Sequence, residues 1–217
     1  EIPLRLVGSE MCIRDRGWAN IGAVRNQGIE ITLDATPILT KKWNWTLNAN
    51  IGFNRSKVLD IGPGDEMGFD PGVIPGSGNF VMIRKNKSLG QWYGYKIDGF
   101  DAEGNFIFAD TDKNGVVNAN DKVILGSPIP DFTYGLNINM EYKDFDLTVF
   151  FQGVQGNDIF NQKKYTYYFD YSNNVVKEAM NGWTKTNRNT GIPIMKTQNT
   201  SGGNSLPSEF YVEDGSY

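Results

Sequence analysis

The run DTDKNGVVNAND, Asp110 to Asp121, places oxygen-bearing side chains at its first, third, fifth, ninth and twelfth positions and Gly115 at its sixth. A hard dication such as calcium gathers six or more oxygens at about 2.3–2.6 Å, and a loop that wraps it needs a sharp turn midway. On that reading Asp110, Asp112 and Asn114 supply side-chain oxygens and Val116 its backbone carbonyl. Asn118 offers a side chain or a bridging water, and Asp121 the closing carboxylate. The ion would stiffen the loop, not catalyse. Asp121 stands where such loops usually carry a bidentate Glu, and no helix pair flanks the run. The competing reading is an Asp/Asn/Gly turn between hairpin strands, which needs no metal. Substrate contact has its own candidates. Trp92, Tyr93 and Tyr95, and further on Tyr165, Tyr167, Tyr168, Phe169 and Tyr171, could stack on sugar faces. Against that stands aromatic packing within loops and at a membrane interface.

Other chemistries are excluded by what the chain lacks. It contains no His and a single cysteine, Cys12. Ser-His and Cys-His nucleophile pairs therefore cannot be built, and the commonest metal ligand is missing. No glycine-rich loop follows a strand and opens a helix to cradle phosphate. Carboxylates are plentiful, but none pair off as an acid and base. The expectation is that this is not an enzyme. Net charge is −4 with no basic run, so nucleic acid is not an expected partner.

What must position these residues is β structure. Four stretches alternate with period 2, which marks strands with one apolar and one polar face. In IEITLDA, Ile29, Ile31 and Leu33 lie opposite Glu30, Thr32 and Asp34. In WNWTLNANIGFN, Trp43, Trp45, Leu47, Ala49, Ile51 and Phe53 share the apolar side. FTYGLNINMEY aligns Phe132, Tyr134, Leu136, Ile138, Met140 and Tyr142, and FDLTVFFQG aligns Phe145, Leu147, Val149 and Phe151. The middle two run for about 11 residues, the length of a tilted membrane-spanning strand. Their apolar sides carry no charge and place aromatics at both ends around aliphatics, as two interfacial girdles around a lipid band would. Asn48, Asn50, Asn137 and Asn139 would then face a lumen.

TPILTKK joins the first two of these strands and Lys143-Asp144 the last two, whereas long excursions follow Asn54 and Gly156. Short turns alternating with long loops fit a barrel with periplasmic turns and extracellular loops. The fold expected is all-β, a partial antiparallel transmembrane β-barrel with long extracellular loops. A soluble, calcium-stabilised carbohydrate-binding β module is the alternative. Within the loops, GPGDEMGFDPGVIPGSG reads as a turn-filled stretch, and SNNVVKEAMNGW as a short helix capped by Asn174 and stopped by Gly182.

Particular motifs then point to a family. NIGAVRNQGIEI, LGQWYGYKIDGF, the run from DTDKNGVV through GSPIPDFTYGLNINMEYKDFDLTVFFQGVQGNDIFN, NGWTKTNRNTGIPIM and EFYVEDGSY together cover most of Gly17 to Tyr217. They resemble the SusC/RagA family of TonB-dependent outer-membrane transporters of Bacteroidetes. One departure is IPIM, where the family often has Arg after the Pro. The resemblance implies that 17–217 is a C-terminal piece of a barrel of about 22 strands. A plug, a TonB box and a signal peptide would belong to the full-length protein. It also implies glycan or peptide uptake energised by the TonB complex, with a SusD-like lipoprotein as lid and outer-membrane lipid around the wall. The oligosaccharide or peptide itself is not named by any residue.

LVGSEMCIRDR, Leu6 to Arg16, falls outside that resemblance. It matches the translation of a widely used transposase sequencing adapter. Residues 1–16 are therefore read as a non-native assembly artefact and set aside. Excluding them leaves the net charge at −4 and removes the only cysteine, Cys12, from any redox argument.

Overall fold

The computed structural model describes residues 22–70, 72, 78–169, 174–195 and 203–217. The segment 1–16, Tyr171 and much of the stretch between Pro71 and Pro75 lie outside these residues. In chain order the strands are β1 (Ala23–Leu39), β2 (Trp43–Asp60), β3 (Glu66–Phe69), β4 (Val81–Arg84), β5 (Gln91–Gly94), β6 (Ile97–Phe100), β7 (Phe106–Phe108), β8 (Val123–Gly126), β9 (Phe132–Tyr142), β10 (Phe145–Gln155), β11 (Asp158–Phe160) and β12 (Val212–Asp214). Among the described residues no helix is long and apolar enough to cross a membrane, which says nothing of strands.

The four long strands form one antiparallel sheet in the order β1-β2-β9-β10. Its register lines up the alternation of each strand with that of the next. Leu33 pairs with Ala49, Ala49 with Leu136, and Leu136 with Phe151. Asp34 pairs with Asn48, Asn48 with Asn137, and Asn137 with Phe150. From the short turns up to Ile29 and Phe53 one face is thus apolar and the other mostly polar. The barrel wall is present as an arc, with β1 and β10 as its edges.

Two boundaries differ from the sequence reading. β1 and β2 run for 17 and 18 residues, well beyond their alternating cores. At about 3.4 Å per residue they reach close to 60 Å, taller than a lipid band of about 25 Å even when tilted. At the other end TPILTKK is mostly strand. The register slips by one residue between Ala35 and Ile38, a bulge that contains Pro37. Proline has no N–H for a ladder and is tolerated because it sits in this bulge. The extra residue returns Ile38 to the apolar side, opposite Trp45. Only Thr40 to Lys42 remain as turn, closed by Trp43 N–H donating to Thr40 Oγ1 at 2.9 Å.

The excursions fold into a body of their own. β3, β4, β5 and β8 make a small sheet, while β6 pairs with β7 and β11 with β12. So GPGDEMGF is not turn alone, since Glu66–Phe69 pairs with β4. Phe106, Phe169 and Tyr211 are buried together, with Phe100, Phe108, Phe160, Tyr168 and Phe210 packed against them. Trp183 is buried nearby, and Gly104 lies so close that a Cβ there would come within 2.3 Å of its ring. The expected helix after Asn174 is instead a single 3-10 turn, Lys177–Asn181, preceded by Val176 and ended by Gly182. Five residues are too few to nucleate an α-helix without a strong cap. Where the body rejoins the sheet, Val154 and Tyr217 exchange both backbone bonds, at 2.9 and 3.0 Å.

Candidate functional site

The apolar face of the long sheet is exposed. Ile29 is 68% accessible, Leu147 55% and Phe145 78%, and among the described residues no second layer covers them. From Trp43 to Phe53 on β2 and along the whole of β9 this face has no Lys, Arg, Asp or Glu; Arg55 and Lys57 follow only beyond the Phe53 rim. Aromatics gather at both rims. Trp43 and Tyr142 pack with ring centroids 4.4 Å apart near the short turns, and Phe53 with Phe132 at 5.8 Å near the loops. A water-soluble protein rarely leaves so large a continuous apolar surface bare. A bilayer would cover it, with aromatics at headgroup level.

The opposite face is a hydrogen-bonded polar ladder. Asn48 donates to Asp34, and Asn44 Nδ2 to Glu141 Oε2 at 3.1 Å. Asn139 Nδ2 reaches Thr46 Oγ1 at 3.4 Å, and Thr148 Oγ1 donates to Asn139 Oδ1 at 2.9 Å. Asn50 lies across from Gly135, whose missing side chain leaves room for the amide. The four asparagines expected at a lumen are on this face. So are Glu30 and Asp34, which the alternation of the first strand had already set opposite its apolar residues, and Glu141 and Asp146.

The Asp110–Asp121 loop brings Asp110, Asp112 and Asp121 together, with carboxylate oxygens within 4.8 Å of one another. Gly115 at φ 87° and Lys113 at φ 59° make the sharp turn. Asp121 is fully buried and accepts from the N–H groups of Asn118 and Thr111, each at 2.7 Å, and of Asp112 at 3.3 Å. The Asn118 N–H foremost, with those of Asp112 and Thr111, holds this carboxyl below the usual carboxylate range. Asp110 accepts from Gly115 N–H at 2.7 Å. The remaining expected donors are engaged otherwise. Asn114 Nδ2 donates to Asp112, Val116 O accepts from Asn118 Nδ2, and Asn118 Oδ1 caps the 3-10 turn Ala119–Asp121. The three carboxylates suit a hard cation in kind, while Asn114, Val116 and Asn118 would have to exchange present bonds for ligation.

The aromatic triplet on and after β5 does not form a platform. Tyr95 is buried, 8% accessible, against Phe108, with its N–H on Pro207 O, and has no face to offer a sugar. Trp92 packs against Phe160 and donates Nε1–H to Asp158 O at 2.8 Å. Tyr93 is half-buried beneath the Arg84 guanidinium. Tyr165, Tyr168 and Phe169 likewise belong to the core of the loop body, whereas Tyr167 stays exposed. Apart from Tyr167, the described aromatics of this set are packing residues, a distinction composition cannot make.

Comparison with known proteins agrees with this geometry. No family model matches the chain. A TonB-dependent receptor of Formosa agariphila, P26, is 31% identical over 217 aligned residues, covering 91% of this chain and 21% of its own length. TonB-dependent receptor SusC of Bacteroides thetaiotaomicron is 27% identical over 208 residues, again covering 91% of this chain, and 20% of its own. The chain thus spans about a fifth of the length of the curated relatives it matches. Among solved structures, the RagAB peptide importer in its closed-closed state superposes with a TM-score of 0.68 at 20% identity, over 91% of this chain and 22% of that one.

Proposed function

We propose that this chain, whose relatives are TonB-dependent receptors with SusC among them, forms wall and extracellular loops of an outer-membrane nutrient importer of the SusC/RagA type. The observation that supports this most is the uncharged apolar face with its two aromatic rims, set back to back with a polar ladder. A wall with lipid on one side and a wet lumen on the other needs that arrangement. A soluble carbohydrate-binding module would have to bury the apolar face. The cargo in this reading is an oligosaccharide or a peptide, with TonB supplying energy and a SusD-like lipoprotein covering the mouth. SusC and the RagAB peptide importer are the similar proteins that favour it. The chemistry is passage, not bond-making, in keeping with relatives that are receptors and transporters.

The test is uptake by the source bacterium with the gene deleted, using labelled oligosaccharides and labelled peptides at low external concentration. Loss of energised uptake of one class is expected, and unchanged uptake of both would sink the reading. The Asp110–Asp121 loop has a structural role in it, with a calcium ion held by Asp110, Asp112 and Asp121 to stiffen the loop. Calorimetric titration of calcium into the full-length protein should give saturable heat that D112N reduces, and no heat at millimolar calcium would remove the ion.

A further inference from the structure

The two short turns meet at the edge of the apolar face. Lys143 N–H donates to Lys42 O at 3.1 Å, which ties the turn after β1 to the turn after β9. Together these turns carry Lys41, Lys42 and Lys143 against one carboxylate, Asp144. Among the described residues none of the three lysines is ion-paired. Next to them stand Trp43, Tyr142 and Phe145, all on the apolar face.

Lys143 is the telling residue. Its φ is 54°, in the left-handed region where a two-residue hairpin turn ordinarily uses Gly or Asn. A lysine gains nothing from that backbone, and what it can contribute lies in its side chain. The amine lies 5.2 Å from the centroid of the Tyr142 ring. Tyr142 faces the lipid side, so this contact places the charge at the lipid rim and not over the lumen.

We propose that this rim is a binding site for the phosphate of anionic phospholipid in the periplasmic leaflet. Lys143, helped by Lys41 and Lys42, meets the headgroup, while Trp43, Tyr142 and Phe145 seat among the upper acyl carbons. Basic residues at a membrane surface attract anionic lipid, and aromatic rings settle at the same level. The proposal rests on the outer-membrane reading of the sheet but not on any cargo.

Full-length protein, purified from outer membranes, is placed in nanodiscs of phosphatidylcholine with or without phosphatidylglycerol, and lipid retained through detergent exchange is measured by native mass spectrometry. Wild type should retain phosphatidylglycerol preferentially, and each lysine removed should weaken retention about five-fold. K143G is the decisive variant, because it suits the turn and should leave folding intact while losing the preference. The triple change K41Q/K42Q/K143Q should abolish it, with uptake of cargo retained. Equal retention of both lipids by wild type, or undiminished preference in K143G, would overturn the site. So would competition by inorganic phosphate as effective as that of the lipid, since the site would then take a free anion.

Discussion

The long sheet and the loop body draw on the same residues for opposite ends. In the sheet, Trp43, Phe53, Phe145 and Phe151 stand exposed, and in the loop body Phe106, Phe169 and Tyr211 are buried together while Phe80 is buried against Phe160. One region keeps its apolar groups for an external solvent of hydrocarbon, and the other withdraws them from water. Hydrogen bonds divide in the same way. On its polar face the sheet links side chains across strands, whereas the loop body relies on carboxylates that cap turns, such as Asp101 on Asn105 and Glu103 or Asp121 on Asn118 and Thr111. The lesson is that aromatic content alone does not report on solvent; the register that assembles a face does.

This contrast can be broken from either side. The largest effect is expected from Tyr211→Ala, which empties the centre of the loop core and removes the bond from its hydroxyl to Ser205 O. Truncating a buried aromatic costs about 3–5 kcal/mol. Limited proteolysis of the full-length protein should then cut within the loops while the sheet stays protected; a simultaneous loss of both would show that the two regions are one cooperative unit. From the lipid side, Ile138→Arg puts a cation in the middle of the apolar face and should cost about 2–4 kcal/mol in a bilayer. Urea refolding into lipid vesicles would read this, and a neutral result would argue that water, not lipid, covers the face.

Smaller effects sharpen the picture. Gly104→Ala meets the Trp183 ring and also sits at φ 85°, so a loss of about 1–3 kcal/mol is expected, confined to the loop body. Hydrogen exchange around Trp183 should rise with the sheet unchanged. The mildest is acid. The Asp121 carboxyl is held low by backbone N–H groups, so its stabilising contribution is complete above the ordinary carboxylate range near pH 4. It is lost as pH falls below that range, through the group's own depressed value. Protection of the Thr111 and Asn118 amides, taken against the intrinsic exchange rate at each pH, should therefore be constant from neutrality to about pH 5 and fall only in stronger acid, and D121N should abolish that change.

The faces of β2, β9 and β10 were legible because period 2 is written residue by residue, and the wall's order follows from it once Lys143-Asp144 is seen as a tight turn. The reach of β1 was not. Pro37 reads as a break, and only pairing with β2 shows that it sits in a bulge. The loop body was illegible for a different reason. Its strands are three or four residues long, below the length at which alternation can be recognised, and they are held by contacts such as Trp92 to Asp158 that cross more than sixty positions of sequence. For the same reason the sequence could offer Tyr95 as a sugar platform when its ring is spent on Phe108. The cation loop falls between these cases. Spacing foretold the meeting of Asp110, Asp112 and Asp121, but not that Asn118 would cap a turn.

The place of the loop body in the chain has a bearing on the order of assembly. β1 and β2 are joined by a short turn, as are β9 and β10, so each hairpin can form early from local contacts. Joining β2 to β9 is another matter, because Asp60 and Phe132 are separated by the whole first excursion. That excursion is tied to both hairpins. Asn86 N–H bonds to Val58 O near the end of β2, and Asp131 N–H, just ahead of β9, bonds to Gln155 O at the end of β10. Once folded, the excursion acts as a clasp that has already spent the entropy of bringing two distant hairpins side by side. The loops outside the membrane would then set the pace at which the wall beneath them zips.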